Sequence, residues 1–175
     1  MNPRYFIGIS LPDDLTKNLE ALQAKISAGQ PVMDPLIPHI TLLHPNILMT
    51  LSPLYFLPKV KILASEILPL EIELTKVDLF DTRVGYIAVT CPGLTQLQEQ
   101  LVQLLPTDLR ARYNVGREYV PHVTLAQSKP LQKLSEEYIS KIKSEVEPLL
   151  PFTFAVHELT EFRQHSSRKY VMNSI

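Results

Sequence analysis

The sequence has little cysteine, little glycine and almost no excess charge. A single cysteine, Cys91, excludes an internal disulfide framework and any cysteine-based zinc site. It reads as a small buried residue at a strand end, since no basic neighbour in sequence would lower its thiol pKa. Seventeen Lys and Arg nearly balance eighteen Asp and Glu, leaving a net charge of -1. That balance excludes a wide basic surface for gripping long nucleic acid, but not a short phosphate-bearing ligand held by a few local groups. Five glycines against fifteen dispersed prolines exclude a flexible Gly-rich linker, and the prolines read as punctuation between short elements. No long apolar run is present near the N-terminus. Asp13, Asp14 and Lys17 interrupt the first one too early for a signal peptide or a spanning helix. The expectation is a cytoplasmic protein with no membrane partner.

What is present suffices for a core. Hydrophobic residues make up 45% of 175 residues and charged residues 20%, which excludes intrinsic disorder and suits one domain, or two small lobes on one chain.

Residues 5–11 read as a buried strand ended by Pro12. Leu15, Leu19, Leu22 and Ile26 recur at helical spacing up to about Ser27. His39 to His44 reads as a short strand stopped by Pro45, and Leu54 to Leu68 as a helix. Leu70 to Phe80 and Gly85 to Thr90 read as a hairpin turning at Asp81-Thr82-Arg83. The order then starts again. Leu94, Leu97, Leu101 and Leu105 mark a helix, Val120 to Gln127 a strand and Leu131 to Val146 a helix. Phe152 to Phe162 reads as a strand that Lys169 to Asn173 would pair with.

The two halves align. His39 and Thr41 fall 83 residues before His122 and Thr124, Phe80 falls 82 before Phe162, and Pro69 falls 82 before Pro151. The reading is a duplicated β-α-β-α-β-β unit, with halves of about 1–83 and 84–175 in one domain.

The duplicated segment is Pro38-His39-Ile40-Thr41-Leu42 and Pro121-His122-Val123-Thr124-Leu125, identical at four of five positions. Side chains along a strand alternate with a period of two. Each motif therefore shows one imidazole and one hydroxyl on one face and sends its apolar residues to the other. Two such strands facing each other would build a site for a phosphodiester. A neutral imidazole would take the proton of the attacking oxygen, and a protonated one would give a proton to the leaving oxygen. The Thr41 and Thr124 hydroxyls would hydrogen-bond the non-bridging oxygens. No metal or other cofactor is needed. The plain alternative for one His-x-Thr is a satisfied strand histidine, which two copies in equivalent places make improbable. A zinc site is the weaker rival, because no cysteine or carboxylate stands at ligand spacing.

The paired His-x-Thr motifs in a chain of this size resemble the 2H phosphoesterase superfamily, which includes the 2'-5' RNA ligase-like proteins and RNA 2',3'-cyclic phosphodiesterases. The opening Tyr5 to Pro12 and the hairpins Phe80 to Val89 and Phe162 to Val171 are similar to its pattern. The resemblance implies an α+β, bilobal, pseudo-symmetric fold, with two antiparallel sheets lining a central cleft and helices outside. It implies hydrolysis of a 2',3'-cyclic phosphate on a nucleotide or short RNA end to a 2'-phosphate, with reverse 2'-5' ligation possible in principle. It makes His39 and His122 catalytic, with His122 the base that activates water and His39 the donor to the 3' oxygen. Two alternatives stand beside this reading. One is a phosphodiesterase for another small cyclic phosphate, such as that of ADP-ribose. The other is a non-catalytic nucleotide- or RNA-binding module. A monomer is the default.

Five further residues are candidate substrate contacts. His44 and Gln127 each stand five residues past a motif histidine. Arg83 and Arg163 lie near the ends of the two hairpins, where a phosphate would recruit a guanidinium. Tyr5 would offer a ring for a base to stack on.

Overall fold

A computed structural model of the chain describes residues 5–27, 32–33, 37–113, 118–166 and 169–175. The first strand, β1 (Tyr5–Ser10), is buried for nearly its whole length, as its aromatic and β-branched run requires. Pro12 ends it, and α1 (Asp13–Ser27) follows with Asp13 and Asp14 in its first turn, where the helix dipole favours them. Its inner face buries Leu15, Leu19, Gln23 and Ile26. The first motif strand is β2 (His39–Leu43), followed by the short α2 (Pro45–Leu48) and then α3 (Pro53–Ile67), which buries Phe56, Val60 and Ala64.

Strands β3 (Leu70–Phe80) and β4 (Val84–Thr90) form a hairpin. Asp81 and Thr82 take φ of 48° and 55°, and the Arg83 N–H donates to the Phe80 carbonyl at 2.8 Å. Positive φ at both central residues is the type I′ geometry that suits the strand twist. A β-branched residue there is strained. Two outside contacts hold it: Leu134 N–H donates to the Thr82 carbonyl and Ser128 N–H to the Arg83 carbonyl, each at 2.8 Å.

The second half runs α4 (Pro92–Gln103), α5 (Thr107–Tyr113), β5 (His122–Gln127), α6 (Glu136–Val146), β6 (Phe152–Val156), β7 (Thr160–Ser166) and β8 (Lys169–Ser174). Cys91 is buried between β4 and α4. Helix α6 starts later than its apolar spacing suggests. Leu131 sits exposed at a φ of 65°, and the Ser135 hydroxyl caps the helix by accepting from the Tyr138 N–H.

All strands lie in one hydrogen-bonded antiparallel sheet, in the order β6-β3-β4-β5-β2-β1-β7-β8. Two separate sheets were expected. They are one here because the motif strands β2 and β5 pair with each other, through Ile40↔Val123 alone. The expected single strand over 152–162 is also divided. Its first part pairs with β3 and its second with β1 and β8, so residues 157–159 carry the chain between opposite ends of the sheet. The strands of the two sequence halves therefore interleave. Helices pack α1 on α6 and α3 on α4, and buried aliphatic residues of strands and helices form one core. Among the described residues, no helix is long and apolar enough to cross a membrane.

Candidate active site

The site is built on the seam between β2 and β5. Ile40 and Val123 pair there and both are fully buried, so they point to the core. The residues flanking them, His39 and Thr41 on one strand and His122 and Thr124 on the other, must point to the opposite face. All four are only partly exposed. Because the pair is antiparallel, His39 lies towards Thr124 and Thr41 towards His122. The four motif residues thus share one patch.

Each imidazole is fixed by the carbonyl two residues before it. Nδ1 of His39 lies 2.6 Å from the Ile37 oxygen, and Nδ1 of His122 lies 2.8 Å from the Val120 oxygen. A carbonyl only accepts, so Nδ1 carries the proton and donates in both rings, and in a neutral ring of this tautomer Nε2 holds the lone pair that can accept a proton. In His39, Nε2 is 3.1 Å from the Thr41 hydroxyl oxygen, which donates to it in this tautomer.

Each ring also rests on a stacked aromatic pair. Phe6 and Phe162 lie parallel at 4.5 Å and hold the His39 ring at 4.7 and 5.0 Å. Phe80 and Tyr86 stack at 4.0 Å and meet the His122 ring edge-on at 5.0 and 5.4 Å. Burial among these rings pushes the His39 imidazole down to about 4. Its bond to the Ile37 carbonyl works the other way, while positive charge on His122 or His44 lowers it further.

Gly8 faces Thr41 across β1 and β2. A Cβ there would stand 2.5 Å from the Ile40 carbonyl oxygen and 3.2 Å from the Phe162 ring. Only glycine lets β1 come this close to the motif strand while Phe162 covers it.

A bulge follows each motif. In β2 the register against β1 passes from Thr41 to Leu43 as β1 moves one residue, leaving Leu42 extra. In β5 the register against β4 skips Leu125 in the same way. Leu42 and Leu43 are both buried, as are Leu125 and Ala126. One extra inward residue reverses the alternation, so His44 and Gln127 return to the histidine face despite their odd separation from it. His44 caps α2, its Nδ1 accepting from the Asn46 N–H at 3.4 Å, and Gln127 is exposed.

The other expected contacts sit elsewhere. Tyr5 is fully buried with its hydroxyl 3.4 Å from the Leu51 carbonyl. Arg163 pairs with Tyr5 across the strands, and its guanidinium donates to the buried Glu161 carboxylate at 2.8 and 3.2 Å. Phe6 and Phe162 face His39, so their neighbours Tyr5 and Arg163 face the other way, and the structure corrects both assignments. Arg83 is exposed at the hairpin tip. Phe6 and Phe162, which wall His39, were not among the expected site residues. Period-two alternation places Phe6 on the Gly8 face, but nothing local says which face holds the site.

Among the described residues, no three His, Cys, Asp or Glu side chains gather where they could hold a metal ion. The model of the 2'-5' RNA ligase superfamily matches residues 11–168. No curated protein sequence matches the chain. Among solved structures, TT0787 of Thermus thermophilus is similar over 98% of this chain and 94% of its own, with 19% identity and a TM-score of 0.66. Escherichia coli LigT complexed with 3'-AMP is similar over 100% and 96%, with 20% identity and a TM-score of 0.59. LigT complexed with NADP+ matches over 99% and 95%, with 19% identity and a TM-score of 0.61. At these identities the likeness speaks for the mixed helix and strand fold.

Proposed function

Because the chain belongs to the 2'-5' RNA ligase superfamily, we propose that it is a phosphodiesterase that opens the 2',3'-cyclic phosphate of a nucleotide or RNA end by imidazole acid–base catalysis. The observation that carries this is the pair of imidazoles on one face of the β2/β5 seam, each with Nδ1 engaged and Nε2 left for proton transfer. Water attacks phosphorus, and one Nε2 takes its proton. The bond from phosphorus to the 3' oxygen breaks, and the other imidazolium protonates that oxygen. The products are a 2'-phosphomonoester and a free 3' hydroxyl. The Thr41 and Thr124 hydroxyls donate to the non-bridging oxygens as charge builds there. On binding substrate, Thr41 would turn its proton from His39 to phosphate.

Burial assigns the roles in the opposite sense to the family resemblance. A desolvated imidazole held down to about 4 is neutral at pH 7, which leaves its Nε2 unprotonated and able to accept a proton. His39 is therefore the base in this scheme and His122 the acid. That LigT has been crystallised with 3'-AMP and with phosphate supports a nucleotide ligand for a protein of this fold.

The bilobal, duplicated reading finds support in register. Ile40 and Val123, which pair, stand 83 residues apart in sequence. Equivalent residues meeting each other is what a twofold axis through the seam would produce, with β1, β2, β7 and β8 on one side and β3 to β6 on the other.

The test is purified protein with chelator and a panel of nucleoside 2',3'-cyclic phosphates plus a short RNA with a cyclic end, followed by phosphorus NMR. The expected product is the 2'-phosphate. A 3'-phosphate product would overturn the assigned bond cleavage. No turnover by folded protein would overturn the reading and favour another cyclic phosphate or a binding role.

A further inference from the structure

The two motif strands share one paired position, Ile40↔Val123. A single pair is a weak hinge for two groups that must act on opposite sides of one phosphorus. Just past it, buried and half-buried side chains take over the backbone carbonyls beside both bulges. The Tyr119 hydroxyl, just upstream of the second motif, donates to the Thr41 carbonyl of the first at 3.0 Å. The Tyr113 hydroxyl donates to the Leu42 carbonyl at 3.0 Å and accepts from Gln98 Nε2 at 2.9 Å. In the other direction, Gln23 of α1, buried in the core, donates from Nε2 to the Thr124 carbonyl at 3.1 Å. Each sequence half thus holds the other half's motif threonine by its backbone.

We infer that Gln23 and Tyr119 are positioning residues that fix the spacing and orientation of the two imidazoles across the seam. The inference rests on the acid–base reading for its kinetic consequence, and on geometry alone for its structural one. A strand end beside a bulge can twist, and the Thr41 and Thr124 carbonyls are one residue from Ile40 and Val123 and two from the histidines. Each motif strand is laddered to its outer neighbour, β2 to β1 and β5 to β4, so losing either bond loosens the seam between the two ladders, which is joined by one pair. The chemistry needs both rings in line with the breaking bond, so a small rotation costs rate before it costs affinity. Substrate binding, which one phosphate contact on each strand can still supply, changes less.

The experiment compares Tyr119→Phe and Gln23→Leu with Tyr138→Phe. Tyr138 is a tyrosine, more deeply buried than the half-buried Tyr119, whose hydroxyl meets Ser27 at 3.3 Å, away from both motifs. All three variants lose one partly buried hydrogen bond, and melting temperatures check that each folds. The expected result is a kcat about tenfold to a hundredfold lower in Tyr119→Phe and Gln23→Leu, with KM within about threefold of the parent. Tyr138→Phe keeps the parent kcat. A second reading needs no substrate. The His39 pKa, followed by NMR, is compared with and without His122→Gln, and the difference reports how strongly the two rings feel each other. It should change by about half or more in Tyr119→Phe and stay constant in Tyr138→Phe. Equal kcat in all three variants, with that difference unchanged, would overturn the inference. Should the parent hydrolyse none of the cyclic phosphates, the proposed activity fails, and the NMR comparison alone decides the positioning role.

Discussion

The two His-x-Thr sites are near copies in sequence and differ in their surroundings. At the first, the His39 ring lies against Phe6 and Phe162, which are 3% and 0% exposed, and Nε2 meets the Thr41 hydroxyl. At the second, the His122 ring meets the edges of a Phe80–Tyr86 stack whose Phe80 is partly exposed at the hairpin tip. The cause is traceable to one strand position. Opposite Thr41 stands Gly8, which leaves room for the Phe162 ring, and opposite Thr124 stands Tyr86, whose own ring fills the place. A duplicated motif supplies two identical groups, and the aromatic wall of the first then buries its imidazole and holds it down to about 4.

The comparison can be broken most forcefully at the histidines. His39→Ala and His122→Ala should each lower kcat by about a thousandfold, measured by phosphorus NMR under saturating substrate. A variant that kept its rate would overturn the two-histidine scheme. The next effect is on stability. His39 is held down to about 4, against about 6.5 in an unfolded chain. Between those values the unfolded chain binds a proton that the folded protein refuses. The His39 contribution should therefore lower folding stability as pH drops from about 6.5 to 4, by on the order of 3 kcal/mol, and change no further below. Urea denaturation across that range checks it, and His39→Asn should remove this part of the slope.

Gly8→Ala sharpens the same contrast at smaller scale. Its Cβ would meet backbone at 2.5 Å, so β1 or β2 must shift, at about 1–3 kcal/mol of stability. The His39 pKa should rise towards its ordinary value as Phe162 is displaced, which proton NMR reads directly. Smallest is Tyr86→Phe, which keeps the ring and removes the hydroxyl. Stability should change by less than about 1 kcal/mol and kcat by less than about threefold. A larger loss would give that hydroxyl a part in holding the substrate.

Much of the fold was legible in the sequence because it rests on local periodicity. The strand over residues 5–11, the helix that follows, the 70–90 hairpin and the motif strand at 122–127 all have strong patterns and clear stops. Division of the 152–162 strand was not legible. Residues 157–159 hold no glycine or proline, and the break is set by which distant strands each part joins. The short α5 after Pro106 and the late start of α6 escaped for the opposite reason, since their apolar residues are too few or too early to mark them. At the site, the motif residues were legible from identity and spacing alone. The bulges that return His44 and Gln127 to the histidine face were not, because an extra buried leucine looks like ordinary core. Tyr5 and Arg163 were misplaced because strand alternation tells which residues share a face but not which face the motifs use.

The interleaving of the two halves bears on how the protein is made. Tyr5 pairs with Arg163, and β1 lies between β2 and a strand from the far end of the chain. A ribosome releases the first of these long before the last. During synthesis β1 keeps an open edge of unpaired backbone groups until β7 emerges, whereas β3, β4 and β5 are neighbours in sequence and can pair as soon as they appear. The side carrying His122 is thus the one that can assemble early, and the side carrying His39 closes last.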